Sequence, residues 1–262
     1  KGMNFEKLPI VAADAQRAAP LSPAQRRLWN IYQLDAGNSA YHISGGFELK
    51  GELDIACLEQ ALHQVMDKQH ALRTRFIEDE AGEMVQHIER QPIAHVQQVN
   101  GQHLTTQELA QLAAEFIRQP FDLAHELPVR MQCIQVGAQS AHLHIVMHHL
   151  VSDGWSIGVF MRDLVAAYQG ATLTAPDVQY RDFSLWQSAL LRAGKGEQDL
   201  DYWRRETGAT QPEKLFAWQG QVVPNQRREA AQIHHQLDIA ERDAVSQMAR
   251  QLNVTPSSLW LA

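Results

Sequence analysis

The segment that most constrains this chain of 262 residues is a predicted strand, turn and helix that carries two adjacent histidines. Residues 142–147 are rich in β-forming side chains that partly alternate, which predicts a strand. Apolar residues at helical spacing predict a helix over residues 156–169, with Ser156 as its capping residue. His148 and His149 therefore lie on the turn that joins a strand to a helix.

This turn combines reactive side chains with a special backbone, because Asp153 and Gly154 follow the two histidines. Gly154 predicts a close backbone approach or a positive φ. Neighbouring residues on a strand point to opposite faces, so His148 and His149 cannot easily bind one metal ion. One histidine is expected to face inward and hold structure, while the other faces a cavity and can act as a base. Alternation alone does not say which is which.

The composition excludes several classes of protein. The net charge is −7 with no basic stripe, so we expect no nucleic-acid partner. No apolar run approaches the length of a membrane span, and the start lacks a signal-peptide core. Cys57 and Cys133 fall in a predicted helix and a predicted strand, and are expected to be buried thiols rather than a disulfide. Because these cysteines are not expected to pair, a reducing, cytoplasmic setting is the default. No Cys-x-x-Cys or His-Glu-x-x-His occurs, so no metal site is predicted.

Strands and helices alternate along the chain, which predicts a mixed α/β fold. Residues 1–20 are expected to be a linker. Helix starts are predicted at Ser22, Asp54, Thr105 and Thr255, further helices at 183–193, 197–206 and 240–252, and strands at 41–50, 76–77, 84–88, 129–136 and 142–147. The last predicted helix is cut short by the end of the sequence, which predicts a piece of a longer polypeptide.

Four motifs in order carry a family resemblance. They are residues 21–29 (LSPAQRRLW), 72–76 (LRTRF), 148–156 (HHLVSDGWS) and 180–186 (YRDFSLW). With these motifs the chain resembles the condensation domain of non-ribosomal peptide synthetases, in the chloramphenicol-acetyltransferase-like superfamily. One departure is Lys68, which stands where the second motif usually has arginine.

The resemblance implies an α/β lobe with a mixed sheet flanked by helices, one half of a V-shaped domain of two lobes. Residues 21–175 would form the N-terminal condensation lobe. Residues 176–262 would complete it and cross towards a missing C-terminal lobe.

The resemblance also implies the roles of the site residues. His149 would be catalytic and His148 structural. Asp153 would pair with an arginine, either Arg73 or one from the missing lobe. Gly154 would allow a close approach, and the start of the following helix would favour negative charge on the substrate carbonyl.

The implied reaction is peptide-bond formation between two acyl groups, each held as a thioester on the phosphopantetheine arm of a carrier protein. The implied partners are an upstream donor and a downstream acceptor peptidyl carrier protein, the missing lobe and an adjacent adenylation domain. No metal, redox cofactor, nucleic acid or membrane is expected.

Two other functions are considered, of which the first shares the His-His signature and the second only the fold. One is an epimerisation or dual condensation–epimerisation domain, and the other is a docking domain that binds a carrier protein without chemistry. The 262-residue chain alone is expected to have little activity, and to self-associate through its exposed apolar surface.

Overall fold

A computed structural model describes residues 9–13, 18–91, 93–208 and 236–261. The chain divides into two compact units, residues 1–228 and 229–262, each of which is described by itself. The first unit contains β1 (Ala19–Pro20), α1 (Pro23–Leu34), β2 (His42–Lys50), α2 (Ile55–Lys68), a 3-10 turn (His70–Arg73), β3 (Thr74–Glu78), β4 (Met84–Ile88), β5 (Val96–Asn100), α3 (Thr106–Arg118), β6 (Val129–Gly137), β7 (Ser140–His148), α4 (Gly154–Tyr168), α5 (Tyr180–Arg192) and α6 (Glu197–Thr207). The second unit contains α7 (Ile239–Leu252) and α8 (Pro256–Leu261).

The strands form two sheets within the described part of the first unit. The larger sheet has the order β2-β7-β6-β5, in which β5 and β6 run parallel and the other pairs run antiparallel. The smaller sheet has the order β1-β4-β3 and is antiparallel. This mixed sheet with flanking helices confirms the predicted α/β fold.

The central strand β7 separates two apolar clusters, because its side chains alternate between the two faces of the sheet. Ile145 and Met147 belong to the cluster that α2 and α4 cover, whereas Val146 belongs to the cluster formed with Trp29 of α1 and Phe116 of α3. Helices thus cover both faces of this strand, and its C-terminal end is held between two packed layers. That end carries the histidine pair.

The predicted helix starts at Ser22, Asp54 and Thr105 are confirmed. Ser22 and Gln25 form a reciprocal capping box, as do Thr105 and Glu108. The side chain of Asp54 accepts a hydrogen bond from the backbone N–H of Cys57. Each of these caps satisfies backbone donors that the helix itself leaves unpaired.

The predicted N-cap of α4 was wrong by three residues. Asp153, not Ser156, is the N-cap, and Ser156 is the third helical residue, which completes a capping box with Asp153. Both residue types favour the N-cap position, so two capping residues three positions apart make the start ambiguous in the sequence. Strands β1 and β5 were not predicted at all.

Lys68 joins the two helices that cover one face of the large sheet. Its ammonium Nζ lies 2.8 Å from Oδ2 of Asp163 in α4, and the carboxylate side chain is only 5% exposed. Lysine can supply this single contact, but it lacks the flat, forked donor group of the arginine usual in the family motif.

Both cysteines are free thiols: Cys133 is buried, whereas Cys57 is only half-buried. None of the described helices is long and apolar enough to cross a membrane.

Candidate active site

The two adjacent histidines have opposite environments. His148 is the last residue of β7 and its side chain is buried, with 3% of the residue exposed. His149 follows it and is exposed. The reversal agrees with the alternation of side chains along a strand, and identifies His149 as the histidine that can meet a ligand.

His148 is held inside the apolar cluster to which Val146 and Trp29 belong. Its ring nitrogen Nδ1 accepts a hydrogen bond from the backbone N–H of Leu150 at 3.1 Å, so the neutral ring carries its proton on Nε2. The rings of Tyr32, His42 and Phe121 meet the imidazole at steep angles, with centroids 5.9–6.0 Å away. Burial, with smaller contributions from His42 and His149, lowers the pKa of His148 to about 3.

This buried histidine predicts a loss of stability in weak acid. Above about pH 6.5, the ordinary pKa of histidine, His148 is neutral in both the folded and the unfolded chain. Between pH 6.5 and its folded pKa of about 3, only the unfolded chain takes up the proton. The free energy of unfolding therefore falls as the pH is lowered. The slope for this one group approaches about 1.4 kcal/mol per pH unit, and His42, whose pKa burial also lowers, adds to it.

Urea denaturation at pH 7.5, 6.5, 5.5 and 5.0 measures this effect in a range where few carboxylates titrate. The measurements should show a progressive fall in the free energy of unfolding below pH 6.5. A free energy that stays constant from pH 7.5 to 5.0 would contradict the buried neutral state of His148.

The backbone of His149 is fixed although its side chain is exposed. Its N–H donates to the carbonyl oxygen of Tyr41, the residue just before β2, at 2.9 Å. The Tyr41 ring approaches the imidazole from the side, with 6.4 Å between ring centroids. The imidazole is therefore accessible on a fixed backbone.

The rest of the turn is held by hydrogen bonds to His148. Its carbonyl oxygen accepts from the backbone N–H of Val151 at 3.1 Å and from the hydroxyl of Ser152 at 3.0 Å, and its own N–H donates to the carbonyl of Pro128. Leu150 and Ser152 are buried. The turn is thus a packed element rather than a loose loop.

Asp153 caps α4 and does not pair with Arg73, which corrects one of the two arginine partners expected from the sequence. An arginine from a second lobe stays a prediction. The carboxylate of Asp153 accepts from the backbone N–H of Ser156 at 2.8 Å and from the Ser156 hydroxyl at 2.7 Å. These hydrogen bonds lower the pKa of Asp153. Because the carboxylate already binds the Ser156 amide, that amide is not available to a substrate carbonyl.

Arg73 is engaged elsewhere. Its guanidinium donates from Nε to the carbonyl of Met66 at 3.2 Å, and from Nη1 to the carbonyl of Glu89. Arg73 therefore joins the end of α2 to the residue after β4, because its planar fork of donors can reach two backbone carbonyls at once.

Within the described chain, neither a positive φ nor a crowded backbone requires a glycine at position 154. This corrects the expectation that Gly154 supplies one of these two features. It is the first residue of α4, its φ is not positive, and an added Cβ would meet no atom within 4 Å. The glycine leaves open space five residues after His149.

We expect Gly154→Ala to fold normally. Because an alanine has less freedom to lose on folding, the free energy of unfolding should stay the same or rise, by at most about 1 kcal/mol. Urea denaturation of the variant measures this, and a fall of more than about 1 kcal/mol would show that the glycine is needed for the fold. A loss of activity at unchanged stability would mean that the open space receives substrate.

A small cavity borders the turn. It has a volume of about 240 Å³ and lies between the end of α2, the 3-10 turn and the start of α4. It is lined by Val65, Gln69, Ala71, Leu72, Met147, Val151, Ser152, Trp155, Ser156, Val159 and Phe160. Trp155 is 83% exposed, so the wall of this mostly apolar cavity continues onto the surface.

Sequence reasoning missed the partners that β2 brings to the site. The register pairs His42 with His148 and places Tyr41 next to His149. The strand over residues 41–50 was predicted, but nothing in the sequence gives its register against β7. Among the described residues, no group of three or more histidine, cysteine or acidic side chains is placed to share a metal ion.

The family model described as "Condensation domain" matches residues 15–262. The bassianolide nonribosomal cyclodepsipeptide synthetase of Beauveria bassiana is 34% identical over 222 residues, which cover 81% of this chain and 7% of that protein. Surfactin synthase subunit 1 of Bacillus subtilis (strain 168) is 28% identical over 254 residues, or 97% of this chain and 7% of the relative. The chain thus spans a small part of the curated relatives.

Among solved structures, the X-domain from teicoplanin biosynthesis matches with a TM-score of 0.81 and 25% identity, over 94% of this chain and 56% of that one.

Proposed function

Because this chain belongs to the condensation-domain family of non-ribosomal peptide synthetases, we propose that it forms peptide (amide) bonds between acyl groups carried as thioesters on carrier proteins. The observation that carries the proposal is the exposed imidazole of His149 on a fixed turn, beside the buried His148. This arrangement offers one reactive side chain to a ligand and uses its neighbour as support.

In the proposed reaction, the amine of the acceptor attacks the carbonyl carbon of the donor thioester. A C–N bond forms, the C–S bond breaks, and the donor arm leaves as a thiol after it takes up the proton that the amine loses. A thioester is already activated, so the protein needs no nucleophile of its own.

His149 is the group that we assign to this step. As a neutral imidazole it would take the proton from the attacking amine or hold that amine in place. As an imidazolium it would stabilise the negative charge that develops on the carbonyl oxygen. Exposure and the fixed backbone support either role. The small cavity beside the turn would receive an apolar part of one acyl group.

The carrier proteins and the second lobe complete this proposal. The chain spans 56% of the X-domain and 49% of the starter condensation domain of rhizomide synthetase RzmA, a fold match with a TM-score of 0.65. We propose that residues 21–175 form an N-terminal lobe and that residues 176–262 lead towards a C-terminal lobe. The phosphopantetheine arms of the donor and acceptor carrier proteins would meet at His149 between the lobes, so the chain alone should have little activity.

Two further candidates remain to be tested. An epimerisation or dual condensation–epimerisation domain would share the His-His signature. A docking role is the other, because one X-domain that is 29% identical to this chain was solved in a complex with OxyB from teicoplanin biosynthesis.

The test uses the full-length synthetase proposed above, with donor and acceptor carrier proteins loaded with L-amino acids. Condensation predicts an amide product on the acceptor carrier protein. Chiral analysis of the donor residue should show unchanged L stereochemistry, whereas a D residue would indicate epimerisation. Stable carrier-protein binding without any product would favour a docking role.

A further inference from the structure

Gln25 of α1 contacts the turn that carries His149, although it lies far from that turn in the sequence. Its side-chain Nε2 donates to the carbonyl oxygen of Leu150, the residue directly after His149, at 3.2 Å. Gln25 is 2% exposed and Leu150 is buried. We infer that Gln25 is a positioning residue for His149, an inference that rests on the catalytic role proposed above for that histidine.

The direction of the Gln25 amide follows from its partners. Its oxygen Oε1 accepts from the backbone N–H of Ser22 at 3.0 Å, while Nε2 faces the carbonyl of Leu150 and the side-chain oxygen of Gln86, which is 3.3 Å away. The reversed amide would place a donor against the Ser22 donor and an oxygen against two acceptors. Only the first orientation satisfies all three partners.

A second buried glutamine holds Gln25 in turn. Gln86 of β4 accepts from Gln25 and donates to the carbonyl of Pro20 at 2.9 Å and to the hydroxyl of Ser184 in α5 at 3.2 Å. The small sheet and α5 are thereby linked through two side-chain amides to the carbonyl of Leu150. A buried polar network in which every contact is satisfied favours one arrangement over others.

Three hydrogen bonds hold the backbone at His149 and Leu150. The N–H of His149 binds the carbonyl of Tyr41, the N–H of Leu150 binds the ring of His148, and the carbonyl of Leu150 binds Gln25. The imidazole of His149 is exposed, so its direction depends on this backbone. A displacement of about 1 Å at a reacting group can cost about 100-fold in rate, and loss of the Gln25 contact would free one of the three anchors.

Gln25→Met tests the inference, because methionine has a similar length and no hydrogen-bond donor. The matched control is Gln132→Met, the same substitution at another buried glutamine, in β6, whose amide nitrogen donates to Oε1 of Gln97 at 3.4 Å. With loaded carrier proteins in the full-length synthetase, we expect Gln25→Met to lower kcat about 10- to 100-fold with KM unchanged. Gln132→Met should leave kcat within about twofold, because its side chain binds another strand of the large sheet and not the turn.

A second readout does not depend on catalysis. In NMR spectra of the 262-residue chain, Gln25→Met should shift the ring signals of His149 and weaken the contact between the rings of His149 and Tyr41, whereas Gln132→Met should leave both unchanged. If Gln25→Met does not fold, Gln25→Glu replaces it, because it keeps the oxygen that accepts from Ser22 and puts a second oxygen against Leu150. At pH 8 it should show the same rate loss and the same shifts.

The two proposals fail in different ways. Unchanged His149 signals together with a kcat equal to that of Gln132→Met would overturn the positioning role of Gln25. A normal rate in His149→Ala would instead overturn the catalytic proposal, and the NMR comparison would still decide whether Gln25 orients the histidine.

Discussion

Replacing His149 by alanine should lower the rate of amide formation about 100- to 10,000-fold, the range that removal of a positioned acid–base group typically costs. Stability should change by no more than about 0.5 kcal/mol, because the imidazole is exposed and alanine keeps the backbone N–H that binds Tyr41. The binding of both carrier proteins should also be unaffected. The measurement is the steady-state release of donor thiol by the full-length protein, together with urea denaturation of the variant.

The matched control is His103→Ala, since His103 is also exposed but precedes α3, away from the turn. It should leave both rate and stability unchanged. A His149→Ala variant that releases thiol at the wild-type rate would remove the catalytic assignment. A variant that loses activity and stability together would make His149 a structural residue instead.

Replacing His148 by alanine should have the largest effect on stability, with a fall of roughly 3–5 kcal/mol in the free energy of unfolding. The substitution would leave a cavity among the rings of Tyr32, His42 and Phe121. It would also leave the buried N–H of Leu150 without the acceptor that the His148 ring supplies. Both losses lie in the packed layer beneath the turn.

Urea denaturation at pH 7.5 measures this change, and His142→Ala is the matched control, because His142 lies on the same face of β7 but is only half-buried. The control should cost about 1 kcal/mol or less. A loss of under about 1 kcal/mol for His148→Ala would contradict its role as a core residue, whatever its effect on the rate.

The fold class was predictable because local patterns and tertiary packing agree along most of this chain. The strand before the histidine pair, the helix after it and the capping boxes at Ser22 and Thr105 all follow from residue periodicity and short-range hydrogen bonding. Alternation also predicted that one histidine would be buried and the other accessible. It could not choose between them, because the phase of a strand depends on which face meets the core.

The turn itself was harder to interpret. Asp153 was expected to pair with an arginine, and Arg73 was one of two candidates, yet the nearest hydrogen-bond donors to Asp153 lie three residues ahead, in Ser156. Gly154 suggested an unusual backbone conformation and instead begins an ordinary helix. In both cases the local capping of α4 accounts for the residue, and a sequence pattern does not distinguish capping from a longer-range contact.

Contacts between distant segments could not be predicted. Tyr41 reaches His149 through the register of β2 on β7, and Gln25 reaches Leu150 across 125 residues of sequence. Neither the register nor the packing of α1 against the turn can be read from residue periodicity. These contacts fix the backbone of His149. The sequence therefore predicted the reactive side chain but not the residues that hold its backbone in place.

The role proposed for His149 is tested most directly by the mass of the acceptor carrier protein after a single turnover with the loaded donor carrier protein. With wild-type synthetase, we expect the acceptor to gain the donor acyl group as an amide, and His149→Ala to form this product at least about 100-fold more slowly. Equal rates of product formation in the wild type and in His149→Ala would contradict that role.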